Sequence, residues 1–161
     1  MLMLLVKVGV NSSLKMQKYH NLLVAPSTPI LFKPAVLVQS QKRARRLKNK
    51  LFKILKTLDG LAAGLAAPQV GEPFAACLAL DTSGKTCFFL NPKIVRREGN
   101  PYQIKEGCLS FPFMEKRVLR YPHVVVEYQD EKLKNHVIEL FDFPAQVIQH
   151  ETDHLQGITI G

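Results

Sequence analysis

The sequence predicts an α+β fold with mainly antiparallel sheets around a central C-terminal helix, and with a second helix nearer the N-terminus. Several strand-like stretches are separated by turn-like breaks, which favours antiparallel pairing. Two well-separated segments instead carry helical signals. With 161 residues, the chain is expected to form one domain over residues 1–161, in which residues 1–18 are an N-terminal extension.

The first helical segment runs over about residues 39–58. Its apolar residues fall on one stripe, as in an amphipathic helix: Leu47, Leu51, Ile54, Leu55 and Leu58. Its other face is basic and contains no acid between its charged residues: Lys42, Arg43, Arg45, Arg46, Lys48, Lys50, Lys53 and Lys56. Gly60 is expected to end this helix.

The strands and the last helix follow. Strands are predicted over 74–80, 85–95, 124–128 and 137–141, with turns at 81–84 and 130–132. The small residues and glycines of 60–71 indicate close backbone approach rather than a regular helix. The last helix is predicted over 144–156, with Pro144 in its first turn, Asp142 or Phe143 near its cap and Gly157 at its exit.

Composition restricts the class of protein. The chain has 22 Lys+Arg against 13 Asp+Glu, a net charge of +9, which permits an anionic partner without identifying one. Three cysteines are an odd number, so a disulfide framework is not expected, although a Cys77–Cys87 pair stays open. The apolar N-terminal stretch is shorter than the roughly 20 residues of a membrane span.

The last helix carries an H-E-x-x-H motif, in which His150 and His154 are separated by four residues. On a helix these two imidazoles share one face and can reach the same metal ion, with Glu151 beside it. A catalytic metal usually takes three protein ligands. The seven residues after His154 contain no His, Cys, Asp or Glu, so the third ligand is expected from earlier in the chain.

Cys108 is the favoured third ligand because of its surroundings. It lies in Glu-Gly-Cys-Leu-Ser, where Gly107 allows close approach of the backbone to an ion. Cys77 and Cys87 instead lie in plain apolar strands, where a small buried side chain is the simpler interpretation. A Cys/His/His set suits Zn²⁺ or Fe²⁺ with one position open for water.

These residue types predict hydrolysis of a carbonyl group. The metal would lower the pKa of water, Glu151 would accept its proton as general base, and a backbone N–H with an amide side chain would stabilise the oxyanion. Two alternatives stay open at this point. One is an H-E-x-x-H metalloprotease, and the other is a metal-binding protein without turnover.

Three segments together resemble the peptide deformylases, which remove the formyl group from N-formylmethionine of nascent polypeptides. Residues 62–69, Ala-Ala-Gly-Leu-Ala-Ala-Pro-Gln, are similar to the family's first motif. Residues 106–110 match its second motif, E-G-C-φ-S, and residues 149–154 match its third, Q-H-E-x-D-H. The resemblance extends from about residue 20 to the end, in the family's order and spacing.

The resemblance implies a role for each matching residue. Cys108, His150 and His154 would bind the metal, natively Fe²⁺, with Zn²⁺ or Ni²⁺ also possible. Glu151 would act as acid and base, while Gln69 and the backbone N–H of Leu109 would stabilise the oxyanion. The backbone of Gly64 would pair with the extended substrate. The methionine side chain would fill an apolar pocket from Ile104, Phe143, Val147 and His150, and Glu106 is assigned to the same substrate-binding group.

The chain departs from the family pattern at two places. Ala62 and Ala63 stand where the family usually has glycine and a larger apolar residue, so an altered fit of substrate or inhibitor is expected. The short C-terminal end resembles organellar-like or phage-encoded members.

The expected partners are a formylated nascent peptide and, through the basic helix 42–56, the ribosome. No partnership with DNA or a membrane is expected, and the bacterial-type cytosol is the expected location.

Overall fold

A computed structural model describes residue 19 and residues 21–161. The expected extension 1–18 lies outside the described residues. The two α-helices and seven strands are α1 (Gln41–Thr57), β1 (Leu65–Ala66), β2 (Ala76–Leu80), β3 (Thr86–Glu98), β4 (Tyr102–Cys108), β5 (Phe111–Arg120), β6 (His123–Gln129), β7 (Asn135–Phe141) and α2 (Asp142–Leu155). Two 3₁₀ helices, Pro29–Phe32 and Ala67–Val70, lie among them.

The strands form two antiparallel sheets. The larger has five strands in the order β1-β2-β3-β6-β7, and the smaller is the β4-β5 hairpin. The predicted α+β class with mainly antiparallel sheets is therefore confirmed. The four predicted strands correspond to β2, β3, β6 and β7, with two ends as predicted and the others displaced by one to three residues.

The large sheet is covered by one helix on each face, because successive residues of a strand point to opposite sides. Leu78 and Leu90 belong to the core cluster that contains the apolar stripe of α1. Cys77 and Phe89, each one residue away, belong to the cluster beneath α2. Strand β2 is consequently buried on both faces, which explains its unbroken apolar sequence.

Helix α1 forms where its apolar spacing predicts. Its N-cap is Ser40, whose Oγ accepts a hydrogen bond from the backbone N–H of Arg43 at 3.4 Å. Leu47 and Leu51 are fully buried, while the basic residues stay at the surface. The helix ends at Thr57, three residues before Gly60, whose φ of 75° belongs to the left-handed region.

Helix α2 begins directly where β7 ends, at Asp142, two residues before its predicted start. Phe141 is the N-cap, rather than Asp142 or Phe143. The abrupt change of direction requires a φ of 49° at Asp142, which an aspartate tolerates better than most residues. After the helix, Gly157 has a φ of 74°, and a Cβ there would lie 2.7 Å from the backbone of Phe32.

The β4-β5 hairpin was missed by the strand prediction. Its sequence is rich in charged residues, because one face of the hairpin is exposed to solvent for most of its length. The opposite face carries Glu106, Cys108 and Arg120 toward α2. No helix within the described part of the chain is long and apolar enough to cross a membrane.

Candidate metal centre and active site

Cys108, His150 and His154 converge on one point between α2 and the end of β4. One donor atom from each lies within 4.8 Å of the others. Cys108 Sγ and His154 Nε2 lie 3.2 Å apart. All three side chains are buried. A hairpin and a helix that are far apart in sequence thus supply one set of potential metal ligands.

Local structure explains this convergence. The two histidines are four residues apart on α2 and therefore lie on one face. Cys108 is the last residue of β4, where the pairing with β5 shifts register between Gly107 and Cys108. Such a bulge redirects a side chain, as is common beside functional sites.

Glu106 orients the first histidine. Its carboxylate is completely buried and accepts a hydrogen bond from His150 Nδ1 at 2.8 Å. Arg120 donates to the same carboxylate through Nε at 2.9 Å and Nη2 at 2.8 Å. A carboxylate on the far nitrogen of a metal-binding histidine fixes the ring and leaves Nε2 available as a ligand atom.

Arg120 links this carboxylate to α2. Its Nη1 donates to Asp153 at 2.7 Å, so one guanidinium joins two acids. Burial acts to raise the pKa of Glu106, but the hydrogen bonds from Arg120 and His150 outweigh it and bring the pKa to about 2. Burial likewise acts to lower the pKa of Arg120, and its acidic partners raise it above the usual value. Both groups are therefore charged at neutral pH.

The pKa of the Cys108 thiol is shifted in the opposite direction from those of Cys77 and Cys87. Burial acts to raise its pKa, but hydrogen bonds and charge from His150 and His154 lower it to about 5. Burial instead raises the pKa of Cys77 and Cys87. All three cysteines are free, so the alternative Cys77–Cys87 disulfide is not formed. Cys108 alone of the three is predisposed to be the thiolate that metals bind.

Glu151 lies beside the cluster and is almost completely buried. Burial raises the pKa of its carboxyl to about 7, against the opposing charges of His150 and His154. Gly64 packs directly against it, since a Cβ at that position would lie 2.5 Å from Glu151 Oε1. The glycine therefore leaves the space that this carboxylate occupies.

The donor set fits a metal ion. Within the described part of the chain, three buried polar side-chain atoms have no hydrogen-bond partner: His150 Nε2, Glu151 Oε2 and His154 Nδ1. Unpaired buried polar atoms are rare in proteins and call for an explanation. A metal ion would provide the missing partner of His150 Nε2, whose ring is already oriented by Glu106. Two imidazoles and a low-pKa thiol form a set that suits Fe²⁺ or Zn²⁺.

The side chain of Gln69 lies beside Cys108, next to the cluster of Cys108, His150 and His154. Its Oε1 accepts a hydrogen bond from Ala66 N at 2.8 Å, which fixes the amide. Its Nε2 donates to Ser110 Oγ at 3.0 Å and lies 3.6 Å from Cys108 Sγ. Ser110 was not singled out from the sequence. Leu109, next to Cys108, begins the two-residue connection between β4 and β5.

The expected substrate-binding residues occupy different environments. Phe143 is 40 % exposed, Ile104 is half-buried, and Val147 is fully buried in the core cluster beneath α2. Glu106 faces Arg120 and His150 rather than an open surface. Asp153 binds Arg120 and not a ligand imidazole, so it reaches His150 only through Arg120 and Glu106.

Fold and site together define a mononuclear metallohydrolase class, with two histidines and a glutamate on a helix and a cysteine on a neighbouring hairpin. Comparison with known proteins narrows this class. The model of the family described as polypeptide deformylase matches residues 20–161. A peptide deformylase from Aquifex aeolicus is 38 % identical over 137 residues, covering 81 % of this chain and 79 % of that protein.

Solved structures that resemble this chain are also peptide deformylases. Peptide deformylase from Thermus thermophilus superposes with a TM-score of 0.78 at 34 % identity, covering 86 % of this chain and 82 % of that one. The enzyme from Synechococcus elongatus, in complex with actinonin, gives a TM-score of 0.77 at 32 % identity, covering 86 % and 75 %. The chain belongs to the peptide deformylase family. It is a metal-dependent hydrolase that removes the N-formyl group from nascent peptides.

Proposed function

We propose that Cys108, His150 and His154 bind one divalent metal ion, with Fe²⁺ as the physiological metal and Zn²⁺ or Ni²⁺ as ions that can replace it. The convergence of the three donor atoms supports this assignment, as does the unpaired Nε2 of His150. When bound, the ion lowers the pKa of a water molecule and polarises the formyl carbonyl group. Glu106 and Arg120 hold the imidazole of His150 in place for it.

Glu151 is the proposed acid and base. Its Oε2 has no hydrogen-bond partner in the described residues and so can accept the proton of the attacking water. The water oxygen then bonds to the formyl carbon, and the carbon–nitrogen bond breaks. Glu151 returns the proton to the leaving amine, which leaves formate and a free N-terminus.

Gln69 and Leu109 are the proposed oxyanion donors. The Gln69 amide is held at its oxygen by Ala66, so that its nitrogen stays beside Cys108 and Ser110. The backbone N–H of Leu109 follows the proposed cysteine ligand directly. Two fixed N–H donors beside the reacting carbon stabilise charge that develops only in the transition state.

The substrate would bind along β1 and α2. We assign the backbone of Gly64, one residue before β1, to pair with the extended peptide. Ile104, Phe143, Val147 and His150 are assigned to the methionine pocket. Glu106 is better supported as the residue that positions His150 than as a direct substrate contact, since its oxygens already bind protein donors.

The convergence of two imidazoles, one thiol and the unpaired Glu151 carboxylate carries this proposal. Its test is formate release from formyl-Met-Ala by wild type and by Glu151→Gln, with metal content measured on both. We expect the variant to retain the metal and to lose activity by about 10²-fold or more. Loss of the metal would show that Glu151 is a ligand. Cleavage of an acetylated or internal peptide by wild type would instead support a metalloprotease.

We further propose that α1 strengthens association with the ribosome, in the cytosol where formylated chains are made. Six of its basic residues are exposed: Lys42, Arg43, Arg45, Arg46, Lys53 and Lys56. Part of the face is neutralised, because Glu72 pairs with Arg46 and Lys50, and Glu131 pairs with Lys48. Arg43 lies over the ring of Phe74 and Arg45 donates to Gln41, whereas Lys42, Lys53 and Lys56 have neither an ion pair nor such a contact in the described residues. These three lysines are the best candidates for phosphate contacts.

Ribosome co-sedimentation tests this interaction. The triple variant Lys42→Glu, Lys53→Glu, Lys56→Glu should weaken binding and flatten its dependence on salt. A matched control reverses three exposed basic residues on the sheets, Lys93, Arg97 and Arg117, and changes net charge equally. Equal losses in the two variants would show a general charge effect, and unchanged binding in both would refute the proposal.

A further inference from the structure

Gln146 is a buried amide one turn before the first histidine ligand. It is 3 % exposed, and its Nε2 donates a hydrogen bond to Glu106 Oε1 at 3.1 Å. That bond joins those from Arg120 and His150 on the same carboxylate. The amide therefore lies against the group that positions the metal-binding histidine.

The position of Gln146 on α2 places it beside the proposed methionine pocket. Residues three or four apart share one face of a helix, so Gln146 shares a face with Phe143 and His150. Val147 follows it directly. Two residues assigned to the pocket, Phe143 and His150, thus lie on the same helix face as a side chain that is polar rather than apolar.

The amide of Gln146 is only partly satisfied by the protein, in contrast to its neighbour Gln149. Gln149 Oε1 accepts from Tyr121 N, and its Nε2 donates to the carbonyls of Tyr121 and Ala145. Among the residues that the structure describes, the side chain of Gln146 bonds to Glu106 alone. Its second amide hydrogen and its Oε1 remain available to another group. An amide has two donor hydrogens and an acceptor oxygen, so Gln146 can still donate to a ligand while it holds Glu106.

We propose that Gln146 makes one wall of the methionine pocket polar, so that the enzyme accepts formyl peptides whose first residue is methionine sulfoxide. This inference rests on the proposed function. The sulfoxide has the shape of methionine with one added polar oxygen. That oxygen accepts the second amide hydrogen of Gln146, whereas an apolar wall would leave it desolvated and unpaired. The thioether of methionine is a weaker acceptor at the same place.

The test is the ratio of kcat/KM for formyl-Met(O)-Ala to kcat/KM for formyl-Met-Ala. Because both substrates meet the same enzyme preparation, the ratio does not depend on metal loading or on the folded fraction. We expect Gln146→Leu to lower this ratio about tenfold, the size expected for one buried hydrogen bond. Gln146→Met, which preserves side-chain length, should lower it similarly and serves if the leucine variant folds poorly.

Gln156→Leu is the matched control, because this glutamine lies exposed at the end of the same helix. Its ratio should equal that of wild type. Active Gln146 variants with an unchanged ratio would overturn the inference and leave the proposed function intact. Failure of metal-loaded wild type to release formate from formyl-Met-Ala would overturn the proposed function and this inference with it.

Discussion

The two helices of this chain use polar residues in opposite ways. Helix α1 buries an apolar stripe against the large sheet and leaves its basic residues in solvent. Helix α2 is buried around most of its circumference, and six of its buried residues are polar: Gln146, Gln149, His150, Glu151, Thr152 and His154. The first arrangement is sufficient for folding. The second arrangement requires a partner for each buried polar group. Gln149 and Thr152 bind backbone groups, whereas His150 Nε2 and Glu151 Oε2 have no partner in the described residues and face the proposed metal site.

The difference shows where mutations should matter. Charges on the surface of α1 interact through water and contribute little to stability individually. The acids and Arg120 around α2 are desolvated, so removal of one member leaves its partner buried and unpaired. The same residue types therefore have very different effects in the two regions.

The largest effect is expected from Gly64→Ala. The new Cβ would lie 2.5 Å from Glu151 Oε1 and 2.8 Å from the carbonyl oxygen of Leu78. The carboxylate must move away, and displacement of a general base costs about 10²–10⁴ in rate. We expect kcat for formate release to fall by about this factor with the metal retained. Gly84→Ala, in an exposed turn with nothing within 4 Å, is the control. Its φ of 79° makes alanine somewhat destabilising, but the site is untouched and kcat should be kept. A normal kcat in Gly64→Ala would contradict the packing described.

The second largest effect is a loss of folding stability in Arg120→Met. This substitution leaves Glu106 and Asp153 without their shared cation, and Glu106 is completely buried. Breaking such a pair from one side costs about 3–5 kcal/mol. The measurement is urea unfolding with chelator present, so that metal binding does not contribute. Adding Glu106→Gln to this variant should cost less than the sum of the single changes. Strict additivity would show that the two residues do not interact.

The sequence predicted those parts of the fold that follow hydrophobic spacing. Helix α1 and strands β2, β3, β6 and β7 alternate or repeat their apolar residues because one or both faces are buried. The β4-β5 hairpin could not be predicted in this way. Its inward face consists of functional groups such as Glu106, Cys108 and Arg120, so its pattern resembles that of an exposed loop.

The part of the site that follows local spacing along the chain was also predictable. Helical spacing brings His150 and His154 together, while the surroundings of Cys108 and the resemblance to the family supplied the third ligand. The contact between Glu106 and His150 depends on the packing of β4 against α2, which no local spacing encodes. Gln146 was missed because a glutamine in an amphipathic helix ordinarily indicates a solvent-facing position.

The contrast between buried and exposed residues can also be tested within α1, which carries one kind on each face. Leu51→Ala removes a fully buried side chain from the apolar stripe, and such changes cost about 2–5 kcal/mol. Lys53→Ala, two residues away and exposed, should change stability by no more than about 0.5 kcal/mol. Urea unfolding of both variants measures the difference. A large cost for Lys53→Ala would show that the basic face contributes to folding.

The smallest effect is expected on stability, from a change at Asp130. Asp130 and Glu106 both have a pKa of about 2, but they reach it in different surroundings. Glu106 reaches this pKa inside the protein, despite burial. Asp130 reaches it in the turn after β6, through a hydrogen bond with His136 and from the backbone N–H groups of Lys134 and Lys132.

For Asp130 the folded pKa lies below the unfolded value of about 3.9. Its stabilisation is therefore complete above that value and is lost as pH falls through about 2. Asp130→Asn should be slightly less stable than wild type at pH 6, and the difference should shrink as pH is lowered through this window. Urea unfolding of both proteins at a series of pH values measures it. A difference that persists undiminished at pH 2 would mean that the aspartate stabilises the turn by its shape rather than by its charge. Since this turn is solvated, the loss at pH 6 should stay well below that of Leu51→Ala, as the contrast between the exposed and the buried polar groups requires.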